Sequence, residues 1–213
     1  MKFVAIDTET TGLDPTINGI LSIAAYHFEI APSGAMTKPK RLFAESCNPG
    51  DVEWNDWSLG QHAINQMTPT TLEGQMGPRA LGYEFYKALK QYDTNPITEP
   101  WLPIYQNAAF DISFLRLCVP PESMHRLSRR YLDTYTMQYL CFGEIVSLDA
   151  LCEKLGVPLS GYHTAAGDAL ATALCFQTMW RLMRPEPMQA SIARHGVAGT
   201  LEASRTGNGL PTD

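Results

Sequence analysis

The run Lys2-Phe3-Val4-Ala5-Ile6-Asp7-Thr8-Glu9-Thr10-Thr11-Gly12 carries an apolar stretch that ends in two acids. A short apolar run closed by turn residues, here Gly12 to Pro15, reads as a buried strand over residues 2–7. Asp7 and Glu9 stand two apart at its end. Alternate strand residues share a face with about 6.5–7 Å between their Cα atoms, so both carboxylates are able to converge on one point. Alone the pair is a weak signal, because most Asp-x-Glu pairs are polar strand ends running into turns.

Outward from this strand, Ile20 to Ile30 and Arg41 to Cys47 read as two further strands, and Gly50 to Gly60 as a loop holding Trp54 and Trp57. Leu81, Phe85, Ala88, Leu89 and Tyr92 recur at helical spacing within Arg79–Tyr92. Trp101–Gln106 is expected as a short strand and Ala109–Cys118 as a helix. A helix over Ser147–Leu155 would be capped by Ser147 and ended by Gly156. A last helix is expected from Thr164 to Met183. Strands first, then strands and helices mixed, describe an α/β sheet with helices on its faces.

The 213 residues suit one domain plus a remainder. Sixteen Lys and Arg against 22 Asp and Glu leave a net charge of −6. That excludes a strongly basic nucleic-acid coat protein, though not an enzyme that grips nucleic acid locally. With 45% hydrophobic and 18% charged residues, bulk disorder is excluded. No run of 18 apolar residues predicts a membrane span, and the first residues lack signal-peptide character. Five widely spaced cysteines without a Cys-x-x-Cys pair suggest neither zinc nor a disulfide frame, so a cytoplasmic location is expected. Composition changes at Arg184. Residues 184–213 lack aromatics, are rich in Pro, Gly, Ser and Thr, and read as a tail with little core, carrying at most a short helix near Ser191.

Two further acids stand out. Asp111 falls in the first turn of the Ala109–Cys118 helix, where an acid also favours the helix dipole by about 0.3–1 kcal/mol. Asp168 lies among Ala165, Ala166, Gly167, Ala169 and Leu170, surroundings poorly explained as a solvated face. His163 stands five residues before it. On one helix that is about 500°, leaving the side chains about 140° apart, so the two serve one site only if His163 precedes the helix. Acids on strand ends and helix starts meet at one edge of such a sheet. Four clustered carboxylates cannot all stay ionised unpaired at low dielectric. Two Mg²⁺ or Mn²⁺ ions would balance them, and ions about 3.5–4 Å apart clamp the attacking and leaving oxygens of a phosphate. A histidine beside them is able to take a proton from water near neutral pH.

Asp7-Thr8-Glu9-Thr10-Thr11-Gly12, Asn107-Ala108-Ala109-Phe110-Asp111-Ile112-Ser113-Phe114-Leu115 and His163-Thr164-Ala165-Ala166-Gly167-Asp168 resemble, in order, the three motifs of the DEDDh 3′–5′ exonucleases of the DnaQ-like family. His62-Ala63-Ile64 and Ser147-Leu148-Asp149-Ala150-Leu151-Cys152 are similar to stretches of its bacterial polymerase III epsilon proofreading members. Many members carry His-Asn where this chain has Gln106-Asn107, and no clamp-binding signature stands out in the tail. The resemblance covers about residues 1–183, taken as the exonuclease domain. It implies an RNase H-like fold with a mixed central sheet and helices on both faces. It implies Asp7, Glu9, Asp111 and Asp168 as ligands of two Mg²⁺ or Mn²⁺ ions, and His163 as general base. Thr8, Thr10, Thr11, Leu13 (a wedge between the last bases), His62, Asn107 and Phe110 would contact substrate, Phe110 having an equal claim to a core role.

The implied reaction is hydrolysis of the terminal phosphodiester at a single-stranded or frayed 3′ end, releasing nucleoside 5′-monophosphates. DNA is preferred over RNA as partner, in proofreading or repair, with a polymerase as a further partner. Alternatives are an exoribonuclease, a non-catalytic nucleic-acid-binding module on the same fold, and an unrelated metal phosphoesterase. Arg116, His125, Arg126, Arg129 and Arg130 form a modest basic cluster that reads as solvated surface before it reads as a backbone guide. Trp54 and Trp57 read as packing over the core edge before base stacking, and Asp133 and Asp149 as structural caps or acceptors.

Overall fold

Alternation along β1 (Lys2–Thr10) decides the layering. Its side chains point to opposite faces in turn, and Phe3, Val4, Ala5 and Ile6 are all fully buried, so the strand is covered on both sides. The computed structural model describes residues 1–64, 67–92, 100–121, 127–159, 161 and 163–184. Within them β1 is the middle strand of a five-stranded sheet. β2 (Ile20–Glu29) pairs antiparallel with β1, and β3 (Lys40–Ser46) antiparallel with β2. On the other side β4 (Leu102–Tyr105) and β5 (Leu132–Asp133) run parallel to β1, giving the order β3-β2-β1-β4-β5. The sheet is therefore mixed.

Val4 and Ile6 face a core layer with Leu81, Phe85 and Leu89 of α2 (Pro78–Gln91) and Phe114, Leu115 and Cys118 of α3 (Ala108–Cys118). Phe3 and Ala5 face the opposite layer. It is formed by α4 (Thr134–Phe142), α5 (Leu148–Leu155) and α6 (Ala165–Met183), through Met137, Leu151, Cys152, Phe176 and Met179. Helices thus cover both faces, as the RNase H-like fold requires. The parity has a consequence for chemistry: Asp7 and Glu9 continue the Phe3–Ala5 face toward α6, whereas Thr8 and Thr10 continue the face toward α3.

The four expected strands correspond to β1–β4, and the expected helices to α2, α3, α5 and α6. Two parts differ from expectation. The segment read as loop contains the start of α1 (Asp56–Ile64), whose buried side chains include Ser58 and His62. It docks by hydrogen bonds rather than by an apolar stripe, so periodicity does not reveal it. The β5–α4 unit is likewise silent: the strand is two residues long, and α4 buries Thr134 and Gln138 while Tyr139 and Leu140 are exposed. Ser147 stands at the N-cap of α5, but its hydroxyl makes no cap bond to the helix backbone; it instead lowers the pKa of Asp149. The tail from residue 185, with the short helix expected near Ser191, lies outside the described residues. Among those described, no helix is long and apolar enough to cross a membrane.

Candidate active site

Asp7, Glu9 and Asp168 each offer a carboxylate oxygen within 4.8 Å of the other two. Asp168 arrives there because the first turns of α6 are small. Ala165 and Ala169 pack directly on Ala24 of β2, which lets the helix approach the sheet closely. The turn begins at Thr164, whose Oγ1 accepts from the Gly167 amide at 3.1 Å. One Asp168 oxygen, Oδ1, is buried and without a hydrogen-bond partner. An orphaned oxygen beside two further hard oxygen donors fits a divalent cation.

Asp111 enters from the other face. It is 2% exposed, and its Oδ1 accepts from both the amide and the hydroxyl of Thr8, at 3.0 and 2.9 Å. That face is set by Thr8, which points toward α3. Three of the four expected acids are therefore drawn together. The fourth is held against the same strand from behind, close enough for its charge to act on Asp7 and Glu9.

Burial is the largest influence on all four carboxyls. It pushes Asp7 well above the usual range, helped by the charges of Asp111, Glu9 and Asp168. Glu9 is pushed up to about 8 by burial and then by Asp168 and Asp111. Asp111 reaches about 8 by burial, held back by its two bonds from Thr8. Asp168 reaches about 7 by burial and the charge of Asp149, held back by a bond from the His163 amide. The metal-free fold thus keeps protons that an unfolded chain, with carboxyls near about 4, releases. The stability this confers is complete below about pH 4 and is lost as pH rises through the folded values of 7 to 8. Melting of chelator-treated protein, followed by scanning fluorimetry, is expected at lower temperature as pH rises from about 6 to 9, and saturating Mg²⁺ should remove that decline. A flat profile without metal would contradict the cluster.

His163 lies ahead of α6, in the loop, as its spacing from Asp168 demands. Its backbone is left-handed, with φ 58°, a conformation that costs a residue with a Cβ about 1–2 kcal/mol. Its backbone amide helps to hold down the pKa of Asp168. Its ring stands against Trp57 of α1, centroids 6.2 Å apart and planes at 89°.

The expected substrate contacts divide. Leu13 is 71% exposed beside the carboxylate-bearing strand. Asn107 is exposed and left-handed at the start of α3, with φ 70°. Phe110 is half-buried, packs on the core and stacks obliquely with Phe114. The threonine hydroxyls are committed internally. Thr8 serves Asp111, Thr10 donates to the Gly12 carbonyl at 2.6 Å, and Thr11 donates to the Glu53 carbonyl at 2.5 Å.

His62, expected to line the pocket, stands at the inner side of the acid cluster. It is 1% exposed, so it lies behind Glu9 rather than on an open surface. Its Nε2 is 3.0 Å from the Thr10 carbonyl and 3.7 Å from Glu9 Oε2. A carbonyl only accepts, so Nε2 carries the proton and donates. Burial pushes its pKa down, which keeps the ring neutral.

Asp133 has a larger role than its own helix cap. Besides the Tyr135 amide it accepts from the amides of Asn107 and Ala108, at 3.3 and 2.8 Å, and so fixes the start of the helix that carries Asp111. Those partners are 26 and 25 residues away, beyond any local signal. Asp149, read as structural, acts electrostatically on Asp168 and His163. Arg130 lines a cleft with Met1 and Lys2 at the far end of β1, and His125 and Arg126 lie outside the described residues. An apolar cleft of about 650 Å³, lined by Ile20, Pro49, Val52, Pro78, Phe114 and Leu117, contains none of the carboxylates.

Comparison with known proteins gives the family and the fold. The RNase_T family model, described as exonuclease, matches residues 4–176. A DNA polymerase III subunit epsilon-like protein of Rhodobacter capsulatus is 31% identical over 184 residues, covering 83% of this chain and 23% of that protein. A Ribonuclease T of Blochmanniella pennsylvanica is 27% identical over 179 residues, covering 81% of each. The chain spans between 11% and 23% of the length of the polymerase III relatives it matches. Escherichia coli Exonuclease I, solved in complex with a dA16 oligonucleotide, shares the fold with a TM-score of 0.62 at 17% identity, covering 95% of this chain and 45% of that one.

Proposed function

The chain belongs to the exonuclease family, and on that premise we propose that it is a metal-dependent 3′–5′ exonuclease that shortens single-stranded or frayed DNA, releasing nucleoside 5′-monophosphates. What carries this is the meeting of Asp7, Glu9 and Asp168 within 4.8 Å. These three would hold the cations, and Asp111, one oxygen of which Thr8 already engages, offers its other oxygen. Two Mg²⁺ or Mn²⁺ ions held there would neutralise the carboxylates and polarise the phosphate.

The remaining work falls to the chain. His163 accepts the proton of the attacking water on a ring nitrogen as the water oxygen bonds to phosphorus. The bond to the 3′ oxygen of the preceding nucleotide breaks, and that oxygen keeps the electron pair and takes up a proton. Leu13, exposed beside the acids, separates the last two bases, and Asn107 and the exposed edge of Phe110 border the terminal nucleotide. The acids are partly covered, so a paired terminus must fray to reach them. A net charge of −6 gives little grip on the strand at large, which suits an editor working beside a polymerase.

A second reading is trimming of RNA 3′ ends, favoured by the Ribonuclease T relative, matched over 81% of each chain. Discrimination rests on how the pocket treats the 2′-hydroxyl. A time course with 5′-labelled DNA, RNA and mismatched primer ends decides between them. We expect a ladder shortening from the 3′ end, faster on DNA, absent in chelator and restored by Mg²⁺ or Mn²⁺. Faster shortening of RNA would select the second reading. Release of phosphate from mononucleotides with no ladder, or tight metal-independent binding with no product, would overturn both.

A further inference from the structure

We propose that Trp57 is a positioning residue that holds the His163 imidazole in its working orientation, an inference that rests on the base role given to His163 above. The geometry begins with α1. Ser58 Oγ donates to the Thr10 carbonyl at 2.8 Å and His62 Nε2 to the same oxygen at 3.0 Å. The Asn55 amide donates to the Thr11 carbonyl at 3.0 Å, and Asn55 Oδ1 accepts from the Ser58 amide at 2.7 Å. Three of these bonds seat α1 on the strand end that carries Glu9 while the fourth closes its first turn, and Trp57 precedes Ser58 on that seat.

Its indole is 59% exposed, so core burial does not explain it. It spans instead to the loop before α6 and meets His163 edge to face at 6.2 Å. That loop is tied at its base, where the amide and hydroxyl of Thr164 both reach the Gly161 carbonyl at 3.1 and 2.6 Å. The His163 amide acts on the Asp168 carboxyl and holds its pKa down. Backbone ties do not by themselves choose a side-chain rotamer, and a perpendicular aromatic wall favours some His163 rotamers over others. Trp57 therefore couples the strand holding Glu9 to the loop holding the base. The pair is a lateral support for chemistry and does not require Trp57 to touch the nucleotide.

The test compares Trp57→Ala, Trp57→Phe, His163→Gly and the Trp57→Ala/His163→Gly double variant on labelled single-stranded DNA, with ring signals of His163 followed by NMR in protein labelled at histidine. Melting temperatures should change little, because Trp57 is largely exposed. Trp57→Ala should lower kcat about tenfold, the population lost with an aromatic pair contact, with KM within about twofold, and Trp57→Phe should recover most of it. In the His163→Gly background the same change should have no further effect. The His163 signals, identified by their loss in His163→Gly, should move in Trp57→Ala and return in Trp57→Phe. A raised KM with unchanged kcat would mean that the indole stacks on a base, and would overturn the proposal. So would a tenfold loss that persists without His163, or His163 signals unmoved in Trp57→Ala. Full activity in His163→Gly would remove the base assignment itself and this proposal with it, whereas additive losses would remove this proposal alone.

Discussion

Asp7→Asn is expected to end strand shortening, a loss on the order of 10³-fold or more, the scale seen when a charge-stabilising group is removed from a reaction centre. Asn keeps the size of the side chain but loses its charge and one oxygen donor. The same variant should melt at a higher temperature than the wild type in chelator above about pH 7. Asp7 is buried, and three other carboxylates act against its charge, so its ionised form destabilises the metal-free fold. The two readings together separate a lost ligand from a lost fold. Misfolding would lower both activity and melting temperature, whereas removal of a functional acid lowers the first and raises the second. Wild-type trimming by purified Asp7→Asn would sink the assignment of the cations to this cluster.

His163→Gly is expected to lower kcat by about 10²–10⁴-fold, the usual contribution of a positioned general base. Glycine is the informative replacement here. The backbone sits at φ 58°, which glycine adopts without strain and which alanine would not, so loop geometry is preserved while the ring is removed. The space left beside Trp57 and Asp168 admits a small solute. Added imidazole should restore part of the rate and leave the rate of Asp7→Asn unchanged. Binding of single-stranded DNA, measured in Ca²⁺, should be little altered. A variant that trims at the wild-type rate, or one that fails to bind DNA, would take His163 out of the base role.

The sequence carried the pattern of the site further than its geometry. Asp7 and Glu9 are legible as a pair because β1 is short, apolar and closed by Gly12, and a strand period of two leaves no choice of face. His163 is legible as a loop residue because five positions on a helix would turn it away from Asp168. α1 is not legible: its buried side chains include Ser58 and His62, and their partner is the Thr10 carbonyl, 48 and 52 residues earlier in the chain. The position of His62 follows from that. The family resemblance implies a substrate contact for His62, and only the docking of α1 shows that it stands beside Glu9.

What the sequence determined by itself was an α/β chain with its acids on strand ends and helix starts, since periods of 2.0 and 3.6 and the turn residues between them are local properties. Tertiary structure alone decided that Asp168 joins Asp7 and Glu9 while Asp111 is held by Thr8 on the opposite face. The close approach of α6 depends on Ala165 and Ala169 meeting Ala24, and the seat of Asp111 depends on Thr8 and on Asp133 at the head of α3. Contacts between segments that lie more than a hundred residues apart, or that are joined only through a third element, leave no periodic trace along the chain. They exist only once the sheet has brought its strand ends together.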